Sequence, residues 1–436
     1  MDPIRNSTLS CLALVVLVTL SGQALASNSV TVGLCAGPGP HFLTIQAAVN
    51  AVSIGGTVRV CPDTYSEQVT INKNLTLLGI ASGTSDAAVV TVPSGGLVTN
   101  GVVDIFGFPT AAQIFVQNAN VTVSHITVDG ANDGLTDCSI DAIGIYYQNS
   151  SGSITDNAVR NVLLPTGLQG CQDGLAINVE ANSGTPAVTI SNNSVRNYDK
   201  NGITASGPGT AGVGPVVAVK GNTVIGLGAT TVTAQNGIQV GLGATGSITS
   251  NYVADNIYTN PPNCSPSCTG ASGILVYASA GLTVSGNTVE SAQLGIVPVT
   301  DPNFGGPANG TIIKSNHIGG TQLFDAIDLC SDGNTAQGNV IFGSSQDGIH
   351  TDDSCSPSTG SNNTVTLNSI NEACAGILLG SGTNNTIAPN TFLNVTNTTL
   401  AGDVCTPAVG PAANVMESSA TKRLSFRPSP LKPNKN

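Results

Sequence analysis

Tryptophan is absent from the 436-residue chain, methionine occurs twice and histidine four times. With no Trp and aromatics at only 4%, ring platforms for stacking on flat ligands are scarce. Two Met and four His leave little capacity for soft metals. Charge is sparse as well, at 9% of residues, and one sign is nearly missing from the body: between Ser27 and Cys405 there are 7 Lys and Arg against 23 Asp and Glu, a net of −16. Such a body has no basic footprint for phosphate backbones, which excludes nucleic acid as a partner. No apolar run after Ala26 is long enough to span a bilayer.

Glycine, at 52 residues, and a recurring frame fill the space these absences leave. The frame opens at Gly144-Ile145, Gly174-Leu175, Gly202-Ile203, Gly237-Ile238, Gly273-Ile274, Gly295-Ile296, Ala326-Ile327, Gly348-Ile349 and Gly376-Ile377. Each opening is followed by Asn-x-(Val/Ile/Phe), from Asn157/Val159 to Asn390/Phe392, and the shortest units have 22 residues, as from Ala326 to Asp347. Short period-two runs of β-branched residues, bounded by Gly, Ser, Asn and Asp and repeated at that length, predict stacked coils of parallel strands. The fold class expected is all-β, a single-stranded right-handed parallel β-helix with an N-terminal capping helix. The hand follows from the preference of crossovers between parallel strands. The recurrent Asn is read as a buried ladder, part of the scaffold.

Residues 1–26 have the form of a signal peptide, with Arg5 before an apolar core and Ala24-Leu25-Ala26 at its end. Residues 27–80 are expected to form the N-terminal cap and first strands, with a helix over about Ile45 to Val52. Residues 81–405 hold the β-helix repeats and 406–436 a disordered basic tail. Ten Cys remain after the signal, an even number that favours disulfides in an exported protein. Spacing suggests Cys35 with Cys61, Cys138 with Cys171, Cys264 with Cys268, Cys330 with Cys355 and Cys374 with Cys405, the connectivity being left open. His125 is read as a turn residue.

The opening TIQAAVNA followed by GGTVRVCPDTYSEQVTINKNLTLLG resembles that of secreted right-handed β-helix proteins of the pectin-lyase-like superfamily, which implies a scaffold able to carry many functions. Within it, Phe324-Asp325-Ala-Ile-Asp328 and Gln346-Asp347-Gly-Ile-His350-Thr-Asp352-Asp353 fall on consecutive coils. If Ile327 and Ile349 point inward, alternation sends Asp328, His350 and Asp352 outward, with Asp328 and His350 stacked about 4.8 Å apart. The same order resembles the polygalacturonases, whose acidic motifs Asp325, Asp328 and Asp347 match in part, while Gly348 and Ala375 stand where those motifs have Asp and His. The resemblance implies Asp325, Asp328, Asp347 and His350 as catalytic candidates, because adjacent carboxylates raise one another's pKa and glycoside hydrolysis needs both an acid and a base. The alternative is ordinary turn chemistry for an Asp before Gly, as at Asp173-Gly174. Asp352, Asp353, Arg160 and Arg196 are the candidate binding residues.

Two classes of function follow: a β-helix protein that binds polysaccharide or other surface glycans, or a polysaccharide-degrading hydrolase, less readily a lyase, centred on the acidic site. A third class, a periplasmic metal-handling accessory, is suggested by similarity to copper-binding β-helix proteins but finds few soft ligands here. No metal site and no cofactor are called for, with calcium left open. The expected protein is a secreted or periplasmic monomer without a membrane span.

Overall fold

The computed structural model describes residues 27–81, 87–210, 212–259, 268–301, 306–320, 324–353, 355, 357–402 and 426–428. The signal-peptide reading of 1–26 lies outside these residues, as does the tail except 426–428, where Phe426–Pro428 pairs with Cys268–Gly270.

Each coil has three strands. In one coil Ser151–Thr155 is followed by Ala158–Val162 and then Leu175–Glu180, and each strand pairs in parallel with its counterpart one coil on. Strands of the first kind form a 14-stranded sheet, and those of the other two kinds form a 22-stranded sheet that turns a corner. The chain is thus a parallel β-helix with three faces: a hydroxyl face, a ladder face after the Asn, and a Gly-Ile face.

Inward residues of the three faces stack in three columns. Ile154, Ile190, Val219 and Ile248 are register partners on the hydroxyl face, Val159, Val195, Val224 and Val253 on the ladder face, and Ile145, Ile177, Ile203 and Ile238 on the Gly-Ile face. All are buried in one continuous core. The Gly of each Gly-Ile pair is required by this packing. A Cβ on Gly202 would lie 2.4 Å from Val224 Cγ1, and one on Gly348 2.5 Å from Ile370 Cγ2, so any side chain at the corner would collide with the ladder-face column.

The Asn row is a ladder. The carboxamide oxygen of Asn251 accepts from both the backbone N–H and Nδ2 of Asn222, each at 2.9 Å, while Asn251 Nδ2 donates to Val219 O at 3.0 Å and Asn287 Oδ1 at 2.9 Å. The pattern runs without a gap from Asn157 to Asn390. Ile126, which stands where later coils have Asn, feeds its N–H into Asn157 Oδ1. Buried amides at the corner of every coil are therefore satisfied by the stack itself.

At the N-terminal end, the helix Ile45–Ala51 packs Ile45, Ala48 and Val49 into the core. Thr44 caps it by accepting from Ala47 N, and the Glu67 carboxylate accepts from the N–H groups of Ile45 and Gln46. His125 has φ 57° and is exposed, consistent with a turn position. Three disulfides join the expected pairs, Cys35–Cys61, Cys138–Cys171 and Cys330–Cys355. Cys374 is also disulfide-bonded, whereas Cys264 and Cys405 lie outside the described residues.

Candidate functional site

Alternation leaves every second residue of each face pointing away from the core, and the two sheets treat these residues differently. On the hydroxyl face, the outward positions two and four residues before each ladder Asn are mostly Ser and Thr. Ser153, Thr189, Ser247, Thr283, Thr335 and Thr364 belong to one register column, interrupted by Ala218 and Ile312. Thr155, Ser191, Thr249, Ser285 and Thr366 belong to the next, interrupted by Lys220, Lys314 and Gln337. The residues of the first column are half-exposed. Neighbouring hydroxyls stand about 4.8 Å apart across strands, and some bond to each other, as Ser153 Oγ does to Thr122 Oγ1 at 3.1 Å. The sequence reading missed these columns, although Ser or Thr two and four residues before Asn157, Asn193, Asn251, Asn287 and Asn368 was there to be seen.

Outward residues of the Gly-Ile face are buried. Leu275, Tyr277, Leu294, Val297 and Val299 make a second apolar layer outside the coil, against which Ile105 and Phe106 pack. Phe106 also packs on Phe115 and Tyr146. The segment bearing these two residues is held by Gln148 Nε2 donating to Val103 O at 2.7 Å and by Ile105 N donating to Glu180 Oε2 at 3.3 Å. Glu180 also accepts from the Tyr146 hydroxyl at 2.6 Å and from Asn178 Nδ2 at 3.0 Å. Burial, with the Asp104 charge nearby, pushes the Glu180 carboxyl up to about 7 despite these donors.

The acidic candidates lie on this covered face. Ile327 pairs with Ile349 and Asp328 with His350, as the spacing required. Asp325 Oδ1 accepts from Asp347 N at 3.1 Å, and Asp325 Oδ2 lies 3.3 Å from His350 Nδ1. Asp325, Asp328 and His350 each offer one ligand atom within 4.8 Å of the others. A hydrolase would need these side chains open to solvent. Instead Asp325 is 5% exposed and Asp328 and Asp347 are 2% exposed. Asp328 Oδ1, Asp347 Oδ1 and His350 Nε2 are buried without a hydrogen-bond partner.

Burial and the charges of Asp352, Asp325 and Asp347 hold the Asp328 carboxyl well above the usual carboxylate range, against the pull of His350. Burial and Asp325 push Asp347 up to about 8. For His350, burial lowers the pKa, but the bond to Asp325 and the Asp325, Asp352 and Asp328 charges outweigh it, raising the imidazolium to about 10.

The candidate binding residues do not form one site. Asp352 is buried beside the Cys330–Cys355 disulfide, with Cys355 Sγ 3.6 Å from Asp352 Oδ2, and Asp353 accepts from Ser381 N at 2.6 Å. Arg160 and Arg196 are register partners on the ladder face, away from the acidic cluster. Arg160 Nε pairs with Asp129 Oδ2 at 2.8 Å, and Arg196 bonds to its neighbour Ser194.

Comparison with known proteins agrees with the geometry. Residues 268–406 match the family model described as periplasmic copper-binding protein (NosD). Among solved structures, the chain resembles the GH136 lacto-N-biosidase from Eubacterium ramulus, with a TM-score of 0.52 and 12% identity over 84% of this chain and 67% of that one. The fold is the pectin-lyase-like right-handed β-helix. PfbA, a surface adhesin of Streptococcus pneumoniae, matches with a TM-score of 0.43 and 14% identity over 82% of this chain and 88% of that one. The family 28 exopolygalacturonase of Yersinia enterocolitica matches with a TM-score of 0.40 and 12% identity over 82% of this chain and 74% of that one. No curated protein is matched. Among the described residues, no helix is long and apolar enough to cross a membrane.

Proposed function

We propose that this β-helix is an exported protein that binds a neutral polysaccharide along its hydroxyl face. The observation that carries this reading is the half-exposed Ser/Thr column from Ser153 to Thr364, repeated coil after coil with a second Ser/Thr column between it and the Asn ladder. A hydroxyl both donates and accepts, as a sugar hydroxyl does. Thr on a strand is stiff at χ1, so little side-chain freedom is lost when it binds. With no Trp, each sugar is held weakly, and affinity grows with the number of coils engaged. The net −16 body disfavours an acidic polymer. Disulfides suit an oxidising extracytoplasmic compartment.

The test is a binding panel of neutral and acidic polysaccharides with graded oligosaccharides of the best binder. Affinity should rise with length and fall at least about tenfold in the Thr189→Val, Ser247→Ala, Thr283→Val triple variant. Binding unchanged by those substitutions, or binding to acidic polymers alone, would defeat the reading.

A hydrolase centred on Asp325, Asp328 and Asp347 is the second reading, favoured by the raised pKa of Asp347 beside the Asp325–His350 pair. Its difficulty is access, since the carboxylates are buried; the Asp325 and Asp328 oxygens, within 4.8 Å of each other, have the spacing of a retaining pair rather than of an inverting pair, which must admit water between its two acids. Release of reducing ends by the wild type, lost in Asp328→Asn, would establish it.

Copper(I) does not suit the residues matched to the copper-binding family. Cys330, Cys355 and Cys374 are disulfide-bonded, and both Met residues, Met1 and Met416, lie outside the matched segment or the described residues. Among the described residues, those three sulfurs are thus not free for a soft ion.

A further inference from the structure

We propose that Asp325, Asp328 and His350, with Asp347 beside them, form a binding site for one divalent first-row cation of the manganese-to-zinc kind. Three features that are independent of the glycan reading support this. The first is convergence: one ligand atom from each of Asp325, Asp328 and His350 falls within 4.8 Å of the others, a spacing that a single ion at coordination distance of about 2.0 to 2.2 Å draws together with small side-chain movement.

The second is incompleteness. Asp328 and Asp347, each 2% exposed, present Oδ1 atoms that nothing in the fold bonds, and the His350 Nε2 is likewise unpartnered. A solenoid turn does not need such atoms. The equivalent outward positions on the two preceding coils are Leu294 and Val297, and Ser272 and Leu275, by register with Asp325 and Asp328. An unbonded buried carboxylate oxygen is unfavourable unless a proton or a cation meets it.

The third is charge. Four carboxylates, those of Asp325, Asp328, Asp347 and Asp352, lie around one imidazole, and among the described residues the only ion pair of Asp325, Asp328 and Asp347 is Asp325–His350. A divalent ion supplies the missing positive charge. Carboxylate oxygens with one imidazole nitrogen suit a hard-to-borderline ion rather than a soft one. The two sulfurs nearby are bonded to each other in Cys330–Cys355 and are not ligands; the disulfide instead ties the strand end after Asp328 to the segment after Asp352.

Titration calorimetry of the full mature chain, stripped with a chelator, with Zn²⁺, Mn²⁺ and Ca²⁺ in separate arms tests the site, alongside melting curves with and without each ion. The expected result is about one equivalent of Zn²⁺ or Mn²⁺, bound with a rise in melting temperature of about 3 to 6 °C at saturating ion. Asp328→Asn and His350→Gln should each weaken binding by about 100-fold or more, while Asp156→Asn, at an exposed turn, leaves it unchanged. Metal-free melting of each variant is read first, so that loss of binding is scored only on a folded protein. Elemental analysis of wild type purified without added metal gives a second readout that needs no variant. No saturable Zn²⁺ or Mn²⁺ binding, affinity undiminished in both variants, or uptake confined to Ca²⁺ would each overturn the proposal.

Discussion

The hydroxyl face and the Gly-Ile face are built by the same coils from strands of similar length, yet Thr189 on the first is half-exposed while Thr204 on the second is fully buried. The hydroxyl face carries flat columns of small side chains with little above them. Over the Gly-Ile face, Phe106 and Ile105 pack on an outer apolar layer; the Glu180 carboxyl, bonded to that segment, has a raised pKa, and farther along the same face Asp347 is buried with a raised pKa and an unpaired oxygen. In a solenoid the strand fixes direction, but whether an outward side chain meets water is decided by segments inserted elsewhere in the chain.

The difference between the faces can be broken at its base by Asn251→Ala. That change removes the bonds Asn251 makes and leaves the Asn222 amide groups without their acceptor. A loss of about 4 kcal/mol is expected in urea unfolding, together with lower protection of both neighbouring faces in hydrogen exchange.

A pH series sharpens the contrast. Glu180 has a folded pKa of about 7 against an ordinary 4.5, so the folded state holds its proton more tightly than the unfolded chain. Stability from this group is therefore full below about pH 4.5, declines as pH rises from there to about 7, and is lost above. Two and a half pKa steps correspond to about 3 kcal/mol. The groups facing it are Tyr146, Asn178, Asp104 and the Ile105 amide. Glu180→Gln should make the fall in stability over that range smaller by about 3 kcal/mol, while the share due to Asp347, also raised, persists. A Glu180→Gln curve with the same slope as wild type from about pH 4.5 to 7 would show that the cover does not bury Glu180.

A Gly202→Ala change tests the corner between faces. Its Cβ would meet Val224 Cγ1 at 2.4 Å, and a loss of about 2 kcal/mol is expected from overpacking. The smallest effect belongs to the open side: Thr189→Val should change stability by no more than about 0.5 kcal/mol, measured by thermal melting, while glycan affinity falls.

The coil was legible because its signals are local and repeated. Gly-Ile marks a corner too tight for a side chain, Asn-x-Val marks the ladder, and the spacing of Ile327 and Ile349 gave the stacking of Asp328 on His350 directly. The helix was read within one residue, since Thr44 and the apolar spacing of Ile45, Ala48 and Val49 are neighbours in sequence. What escaped depends on distance along the chain. That Asp328 is buried, and that Ile105 covers Glu180 from 75 residues away, is written in no local pattern. The hydroxyl columns escaped for the opposite reason: Ser and Thr near turns read as turn residues until the register shows them aligned.

The Asn ladder makes the length of this protein a whole number. Because each rung accepts from the rung before and donates to the rung after, a segment can be gained or lost without a dangling amide only if it begins and ends at equivalent points of the frame. The 22 residues from Ala326 to Asp347 meet that condition: their excision would bring Asn316 to Asn368 and Ile296 to Ile349 in the same phase, with Asn339 leaving as a complete rung. Evolution by duplication or deletion can thus add or discard Asp325-like and Asp328-like positions in units, much as a bead is threaded on a string, while the thread stays intact. A chemical site on such a scaffold is inherited as cargo of one or two beads, which is how closely matched β-helices can come to differ wholly in what they carry.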